Sequence, residues 1–335
     1  MQAYHDHHTL PHQGKCSPVG RLPCVLLACF MVLFRLTSLA ADSQTRRATN
    51  ETDLRFWLEN MLLHHEYSME ETVSVTGLSP RQIREYARSW GLKDRMKKQR
   101  PATAPLLVLP YPGGRHPRIG FLEGAINPKR ETKISVFAPW KTGGYAVLDM
   151  PEAIWSNLGL TYLAHTHIDT VWDSRDISLK PLEWVRHADG SMTMERTLPN
   201  GIAFGTEVTP MKDHVQMQMW LQNGSDQNLS DLRVQNCVML KGLSGFDQIS
   251  NENKLFLDPY MACRSDDGRR WAITAWTPNH RTWANPPCPC MHSDPKFPDC
   301  EPGTKQILKG WFSFYEGVDI MGEIQRIDAL DWGNQ

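Results

Sequence analysis

Apolar and polar residues alternate along much of the chain after residue 105, and this period of two predicts β-strands. In the segment 215–222 the odd positions are apolar and the even positions are polar or aromatic: Val215, Met217, Met219, Leu221, then Gln216, Gln218, Trp220, Gln222. The segment 232–240 alternates in the same way, with Asn236 as the exception on its apolar face. Further predicted strands are 106–109, 118–126, 133–137, 145–150, 160–165, 183–187, 193–198, 202–208, 270–276 and 307–315. Many strands with short turns predict a mainly β protein, with a large antiparallel β-sandwich over residues 106–335.

The spacing is different before the sandwich, where residues 53–100 predict a small module of three helices. Leu54, Trp57, Leu58, Met61 and Leu62 fall on one helical face. Two capping boxes follow, at 68–71 and at 79–82, the second with a proline at its first helical position. We expect residues 42–52, which are polar, to be disordered, and residues 101–105 to form a proline-marked linker.

The first 41 residues predict a secretory signal peptide. Lys15 and Arg21 precede a short apolar run at 22–34, and the segment ends in small residues at Ala40 and Ala41. The run is shorter than the ~20 apolar residues that span a membrane. An uncleaved anchor and a lipid attachment at Cys29 are the alternatives, and only an uncleaved leader would bring the protein to a membrane. We therefore predict a secreted or periplasmic protein.

Composition is that of an ordinary globular protein, with 41% hydrophobic and 22% charged residues among 335. Without the leader the chain keeps 33 basic and 36 acidic residues, a net charge of −3. No nucleic-acid partner is expected from that balance. Twelve tryptophans is a high count, and exposed tryptophans are surfaces on which sugar rings stack. We find no glycine-rich phosphate loop and no Gly-x-Ser-x-Gly elbow.

Several segments carry resemblances to known families. The strand pair at 201–223 that ends in Trp-Leu-Gln-Asn-Gly-Ser, the Pro-Gly turn at 301–308 and the segment 310–317 together resemble the galactose-mutarotase-like sandwich superfamily. The phrases at 116–126 and 310–317 resemble an uncharacterised family of secreted bacterial proteins. The superfamily resemblance implies a catalytic histidine, for which His165 and His167 are candidates, and a late glutamate base, Glu316. Residues 53–91 contain a segment of about 25 residues that resembles a DNA-binding helix-turn-helix, but the leader favours a structural role for it.

The segment 164–173, Ala-His-Thr-His-Ile-Asp-Thr-Val-Trp-Asp, is the sharpest local signal. Histidines two residues apart on a strand face the same side, so His165 and His167 could reach one ion or one ligand. The string also resembles the metal loop of retaining α-mannosidases, which implies a divalent metal held by His167 and Asp169. Hydrogen-bonded histidines that flank a strand end are the alternative.

Five cysteines remain after the leader, and they favour disulfides in an oxidising compartment: Cys237, Cys263, Cys288, Cys290 and Cys300. The predicted pairs are Cys288 or Cys290 with Cys300, and Cys237 with Cys263. The alternative is a zinc or copper cage of Cys288, Cys290, His292 and Cys300.

Residues just before and within the cysteine-rich loop are candidates for substrate binding. Trp276, Arg281 and Trp283 suit sugar hydroxyls or a uronate carboxylate, and His292 and Asp294 could face the same pocket. The sequence therefore predicts an exported β-sandwich protein that binds or processes carbohydrate. A non-enzymatic cell-envelope protein and a metal-binding protein are the alternatives.

Overall fold

The structure is a computed structural model that describes residues 46, 48–92, 101, 103–117, 131–141, 143–165, 168–286 and 288–334. The predicted leader (1–41), the predicted strand 118–126 and His167 lie outside these residues. Within the described part of the chain, no helix is both long and apolar enough to cross a membrane.

Two antiparallel sheets form the body of the protein, which confirms the mainly β prediction. The described strands are β1 Val108–Pro110, β2 Lys133–Phe137, β3 Tyr145–Ser156, β4 Gly159–Leu163, β5 Val185–Arg186, β6 Met192–Thr197, β7 Ala203–Pro210, β8 His214–Gln222, β9 Val234–Met239, β10 Lys254–Leu257, β11 Tyr260–Arg264, β12 Arg270–Thr277, β13 Asn279–Trp283, β14 Cys290–Pro295 and β15 Lys305–Glu316. The seven-stranded sheet has the order β1-β2-β3-β9-β14-β13, with β4 added on β3. The eight-stranded sheet has the order β10-β11-β12-β15-β8-β7-β6-β5.

The main core lies between the inner faces of the two sheets. Ile134, Leu148 and Val238 come from the seven-stranded sheet, and Met217 and Met219 come from the eight-stranded sheet. Strand β8 follows the alternation of its sequence, because every second residue is buried and the residues between are half-buried or exposed. Its two faces therefore differ in chemistry: thioether and aliphatic groups point inward, and amides with one indole point outward.

Three α-helices precede the sandwich: α1 Glu51–Glu59, extended by a π-helical turn Asn60–His64, then α2 Met69–Thr76 and α3 Pro80–Ser89. Both expected capping boxes are present, at Ser68 with Glu71 and at Ser79 with Gln82. Between them Gly77 adopts φ +68°, a left-handed conformation that ends α2 and suits glycine. Arg46, in the segment expected to be disordered, is buried, and its guanidinium lies 3.5 Å from the ring centroid of Trp57.

The helical module packs on the outer face of the seven-stranded sheet. Asn60 Nδ2 donates to the Pro110 carbonyl at 3.0 Å, and the His65 imidazole is hydrogen-bonded to Ser135 Oγ at 2.7 Å. Arg115 binds both carboxylate oxygens of Glu71 on α2, and its Nη1 donates to Tyr145 Oη at 3.0 Å. These contacts fix the module on the sheet; its structural role stays a prediction.

A fourth helix covers half of the outer face of the eight-stranded sheet. Helix α4, Ile320–Asp328, is capped by Asp319 and is followed by a 3-10 turn at Trp332–Asn334. Its Ile324 and Ile327 pack with Trp332 against outward residues of β11, β12 and β15, such as Trp311. The outward residues of β6, β7 and β8 do not belong to this cluster, and most of them are half-buried or exposed.

We expect Glu71→Gln to lower the free energy of unfolding by about 1–2 kcal/mol at pH 7, because the bidentate ion pair with Arg115 is replaced by a hydrogen bond from the guanidinium to one neutral amide oxygen. Hydrogen bonding to Arg115 lowers the pKa of Glu71 below its usual value of 4.5. The carboxylate therefore stabilises the fold above pH 4.5, and this contribution is lost as the pH falls through the lowered pKa. Urea unfolding at pH 7 and at pH 3.5 should show the difference between wild type and variant shrinking on acidification.

The matched control for this prediction is Glu85→Gln, which removes an exposed i,i+4 pair with Arg81. Exposed pairs of this kind contribute about 0.3–0.5 kcal/mol. Equal effects of the two substitutions at pH 7 would show that the Glu71–Arg115 pair does not anchor the module.

Candidate functional site

The part of the eight-stranded sheet that no other described helix or strand covers presents a polar face across four strands. On β8 the outward residues are Gln216, Gln218, Trp220 and Gln222, as the alternation requires. Their neighbours in register on β7 and β6 are small or polar, and those on β15 include two lysines: Thr193, Glu195, Thr197, Ala203, Gly205, Glu207, Thr209, Lys305 and Lys309. This set of outward residues is called the polar face below.

Trp220 is the aromatic residue of the polar face, and its ring lies flat on the sheet. Its register partner on β7 is Gly205. A Cβ atom built on Gly205 would approach the indole atoms Cε2 and Cζ2 of Trp220 to 2.7 Å, so only a glycine leaves room for the ring. The Lys305 ammonium lies 4.1 Å from the ring centroid. One ring face is thus fixed against the backbone, and the other is covered by a long, exposed side chain.

Charged groups of opposite sign flank Trp220 on the polar face. Lys305 and Lys309 lie on β15, on one side of β8, and Lys309 Nζ donates to Gln218 Oε1 at 2.8 Å. Glu207 lies opposite Gln218 on β7, and Glu195 lies opposite Gly205 on β6. The face therefore offers amides, ammonium groups and carboxylates near one flat aromatic ring, and the exposed side chain of Ile307 lies opposite the ring on β15.

A second group of polar side chains is buried on the outer face of the seven-stranded sheet. Lys133 on β2 and Asp149 on β3 form an ion pair at 2.8 Å, and both side chains are 0% exposed. Asp149 also accepts a hydrogen bond from Thr132 Oγ1. The Lys133 ammonium supplies the positive charge that this buried carboxylate requires.

His165 lies next to that ion pair, just after β4 ends at Leu163. Its Nε2 donates to Glu152 Oε1 at 2.7 Å, and the other carboxylate oxygen accepts from Gln235 Nε2 at 2.8 Å. Burial lowers the pKa of His165, and hydrogen bonding to Glu152 opposes the shift only in part. The imidazole is thus held neutral in the interior, with its side chain 1% exposed, rather than on the wall of a cleft.

His292 and Asp294 on β14 extend this buried group toward the edge strand β13. The Asp294 carboxylate accepts from the Asn236 backbone N–H at 3.1 Å, from Arg281 Nε at 2.9 Å and from Trp283 Nε1 at 2.6 Å. Burial raises the pKa of Asp294, against the charges and donors that surround it. Four of the residues that were predicted to bind substrate are therefore in mutual contact in the structure: Arg281, Trp283, His292 and Asp294.

Trp283 is nevertheless closed to a ligand ring. One face stacks on the His292 imidazole with ring centroids 3.9 Å apart, and the Arg281 guanidinium lies 4.8 Å from the centroid of the indole. Its N–H already binds Asp294. Trp283 thus holds His292 in place, whereas among the described residues the group over the ring of Trp220 is the exposed side chain of Lys305.

The five described cysteines do not form the predicted disulfides: none of them is joined to another by a sulfur–sulfur bond, and all are buried. Cys300 instead contacts Thr304, and Cys263 accepts from Asn253 Nδ2 at 3.3 Å. Cys237, Cys288 and Cys290 lie together in one cluster on the outer face of the seven-stranded sheet. Strand β9 carries Cys237 to this place, which spacing along the sequence does not reveal.

The remaining candidate residues lie apart from these groups. Glu316 ends β15 in the eight-stranded sheet, with its side chain 63% exposed near Arg270. Trp276 on β12 is fully buried in the core. Asp169 is exposed in the loop after β4, and His167, its partner in the mannosidase-like loop, lies outside the described residues.

A cleft of about 250 Å³ lies where the helical module meets the seven-stranded sheet, lined by Glu71, Arg115, His116, Tyr145 and Lys241 among others. Its charged groups are engaged with the protein itself: Arg115 binds Glu71, and Lys241 Nζ donates to the His116 carbonyl at 3.2 Å. The cleft therefore offers fewer free polar groups to a ligand than the polar face does.

No protein-family model matches this chain, and a search of curated proteins finds no match. Among solved structures it is similar to a kojibiose phosphorylase candidate from the human microbiome, with a TM-score of 0.29, 7% identity, and coverage of 43% of this chain and 20% of that one. It is also similar to a mutant of the heparan sulfate lyase HepC from Pedobacter heparinus, with a TM-score of 0.31, 9% identity, and coverage of 56% and 34%. Both neighbours are named as carbohydrate-active enzymes, and the matches cover 20% and 34% of their length. With TM-scores of 0.29 and 0.31, these superpositions carry no argument about the function of this chain.

Proposed function

We propose that the protein binds carbohydrate on the polar face of the eight-stranded sheet, with Trp220 as the stacking platform. The single observation that supports this most is the position of the Trp220 ring, which lies flat over Gly205. A flat, immobilised indole presents a broad apolar surface to the C–H face of a sugar ring. The amides, lysines and glutamates around it are suited to the hydroxyl groups at the edge of that ring.

The lysine over Trp220 does not block such a ligand. An exposed cation–π contact contributes about 0.5–1 kcal/mol, which is small compared with the burial of an aromatic ring by a ligand. When it moves aside, the Lys305 ammonium stays within reach of a hydroxyl or carboxylate group on the sugar. With Lys309 it makes the β15 side of the polar face basic, which favours an acidic sugar there.

The dimensions of the polar face favour an oligosaccharide over a monosaccharide. Four neighbouring strands, β15, β8, β7 and β6, carry it, and adjacent strands lie about 4.8 Å apart, so it is roughly 14 Å across. The proposal is restricted to binding, because His165 is buried at the seven-stranded sheet and Glu316 ends β15 opposite Arg270, nine residues along the strand from Ile307, the register partner of Trp220. An extracellular or periplasmic location, which would expose the protein to such ligands, stays a prediction from the leader.

Isothermal titration calorimetry of the purified protein against neutral and acidic oligosaccharides tests this proposal. We expect saturable binding of at least one oligosaccharide, with a dissociation constant in the micromolar to millimolar range and weaker binding of the corresponding monosaccharide. No heat of binding from any neutral or uronate-containing oligosaccharide at millimolar concentration would favour the alternative of a cell-envelope protein without a carbohydrate ligand.

A further inference from the structure

Three buried side chains with soft donor atoms converge on the outer face of the seven-stranded sheet, away from the polar face. Cys237 lies on β9, and Cys290 and His292 lie on β14. Their donor atoms all lie within 4.8 Å of one another, and Cys290 Sγ is 3.5 Å from His292 Nε2. In a tetrahedral zinc site, bond lengths of about 2.3 Å to sulfur and 2.05 Å to nitrogen place ligand sulfur and nitrogen about 3.6 Å apart. The observed spacing therefore suits one shared Zn²⁺ ion.

A fourth donor is available from Cys288. Its side chain is buried in the same cluster as Cys237 and Cys290, just outside the group of three whose donor atoms all lie within 4.8 Å of one another. The two cysteines flank Pro289, and a disulfide between residues so close in sequence would be strained. We propose that Cys237, Cys288, Cys290 and His292 bind one Zn²⁺ ion in a closed, structural site that joins β9 to β14.

The surroundings of His292 are those of a metal ligand. Its Nδ1 lies 2.8 Å from the backbone carbonyl of Asn236, and because a carbonyl only accepts, Nδ1 carries the proton. Nε2, on the cysteine side, is then the atom that is free to bind a cation. Trp283 stacks on the ring with an interplanar angle of 14°, and Asp294 in turn fixes Trp283. The ring orientation is thus set from two sides.

The metal class follows from the ligands and from their burial. Three thiolates and one imidazole leave no open position in a tetrahedral site, which is the composition of structural zinc sites. By contrast, Asp149, Glu152 and His165 also lie close together, but the Lys133 ammonium already provides a cation there. That neighbouring group therefore carries no second metal in this proposal.

A zinc ion would strengthen the sheet where its pairing is shortest. Strands β9 and β14 are paired through only two residue pairs, Met239 with Cys290 and Val238 with Met291. The ligands span this short ladder, with Cys237 on one strand and the other three on or just before the second. The expected role of the ion is to hold β14, and with it the edge strand β13, against β9.

The test is the metal content of the full chain, purified under reducing conditions and reconstituted with Zn²⁺. We expect one tightly bound zinc per chain by plasma mass spectrometry. Exchange for Co²⁺ should give the intense sulfur-to-cobalt charge-transfer and tetrahedral d–d bands of a thiolate-rich site. A wild type that retains no zinc, or that takes Co²⁺ only with a weak octahedral spectrum, would overturn the proposal, and this outcome does not depend on any variant.

Variants locate the site. Cys237→Ser, Cys290→Ser and His292→Gln should weaken zinc binding by at least about 100-fold, whereas the controls Cys263→Ser and Cys300→Ser remove buried cysteines outside the cluster and should retain one zinc. Cysteines of the leader are common to all variants. Equal loss in the controls would contradict the assignment.

Cys288→Ser tests the closed ligand set. It should bind zinc more weakly and, with Co²⁺, lose charge-transfer intensity as one sulfur is removed. If it binds zinc as tightly as wild type and keeps the same spectrum, Cys288 is not a ligand and the closed site is wrong. If a ligand variant fails to fold, titration of wild-type thiols with a mercurial should release one zinc per chain, and release of none would overturn the proposal.

Discussion

Replacing Trp220 with alanine is expected to lower the affinity for a bound oligosaccharide by about 10- to 100-fold while leaving the fold intact. The loss corresponds to about 1.4–2.7 kcal/mol, in the range for removing the apolar contact of one aromatic ring. Trp220 is half-buried on the outward side of β8 and does not belong to the main core, so its truncation opens no internal cavity. Calorimetric titration with the best ligand, together with the unfolding midpoint, measures both effects.

Trp155→Ala is the matched control for this substitution. Trp155 is also a half-buried tryptophan on a strand with a cation near its ring, since the Arg233 guanidinium lies 5.8 Å from the centroid. Trp155 belongs to β3 in the seven-stranded sheet, so its replacement is expected to leave the affinity for the oligosaccharide unchanged. Equal losses in the two variants would mean that the tryptophan effect is not specific to the polar face.

Replacing Lys133 with methionine is expected to lower the free energy of unfolding by about 3–5 kcal/mol, because it leaves the Asp149 carboxylate buried without its cation. Chemical denaturation of wild type and variant at neutral pH measures the loss.

Two further variants separate the burial of charge from the loss of a side chain. Replacing both members of the pair, Lys133→Met with Asp149→Leu, should be less destabilising than the single change, because no unpaired charge remains. Lys296→Met removes an exposed ion pair with Asp231 and should cost less than about 1 kcal/mol. If Lys133→Met costs no more than Lys296→Met, the buried pair does not stabilise the sheet.

The alternation of side chains was enough to predict the sandwich and several strands. β8 is the best example, because its inward residues fill the core as its pattern requires. The capping boxes at Ser68 and Ser79 likewise mark where α2 and α3 begin, since a cap is a local interaction between residues three apart. The same pattern also placed Trp220 on the polar side of its strand, a signal of the candidate site that the sequence interpretation did not use.

Elements that depend on distant partners were missed. Proline and cysteine around residue 290 favoured a loop, but the structure has strand β14 there, buried along its whole length between other strands. The cysteine cluster shows the same limit. Sequence spacing grouped Cys300 with Cys290, whereas the pairing of β9 with β14 brings Cys237 instead. Cys300 lies opposite Leu229, in an isolated bridge.

Helix α4 was also missed within the region assigned to the sandwich, and it matters for the site. By covering only the β11, β12 and β15 part of the outer face, it divides that face into a buried half and the polar face. The location of the candidate site is therefore set by tertiary packing, although the polar and aromatic residues that form it can be identified from the alternation in the sequence.

Hydroxyl-radical footprinting with and without a saturating oligosaccharide reports which side chains a ligand covers, and it is therefore the most direct test of binding at the polar face. We expect protection of Trp220 and of its neighbours on β7 and β15, with Trp155 and Trp283 oxidised to the same extent in both states. Protection of Trp155, or of residues lining the cleft at Arg115, with Trp220 unchanged, would contradict binding at the polar face.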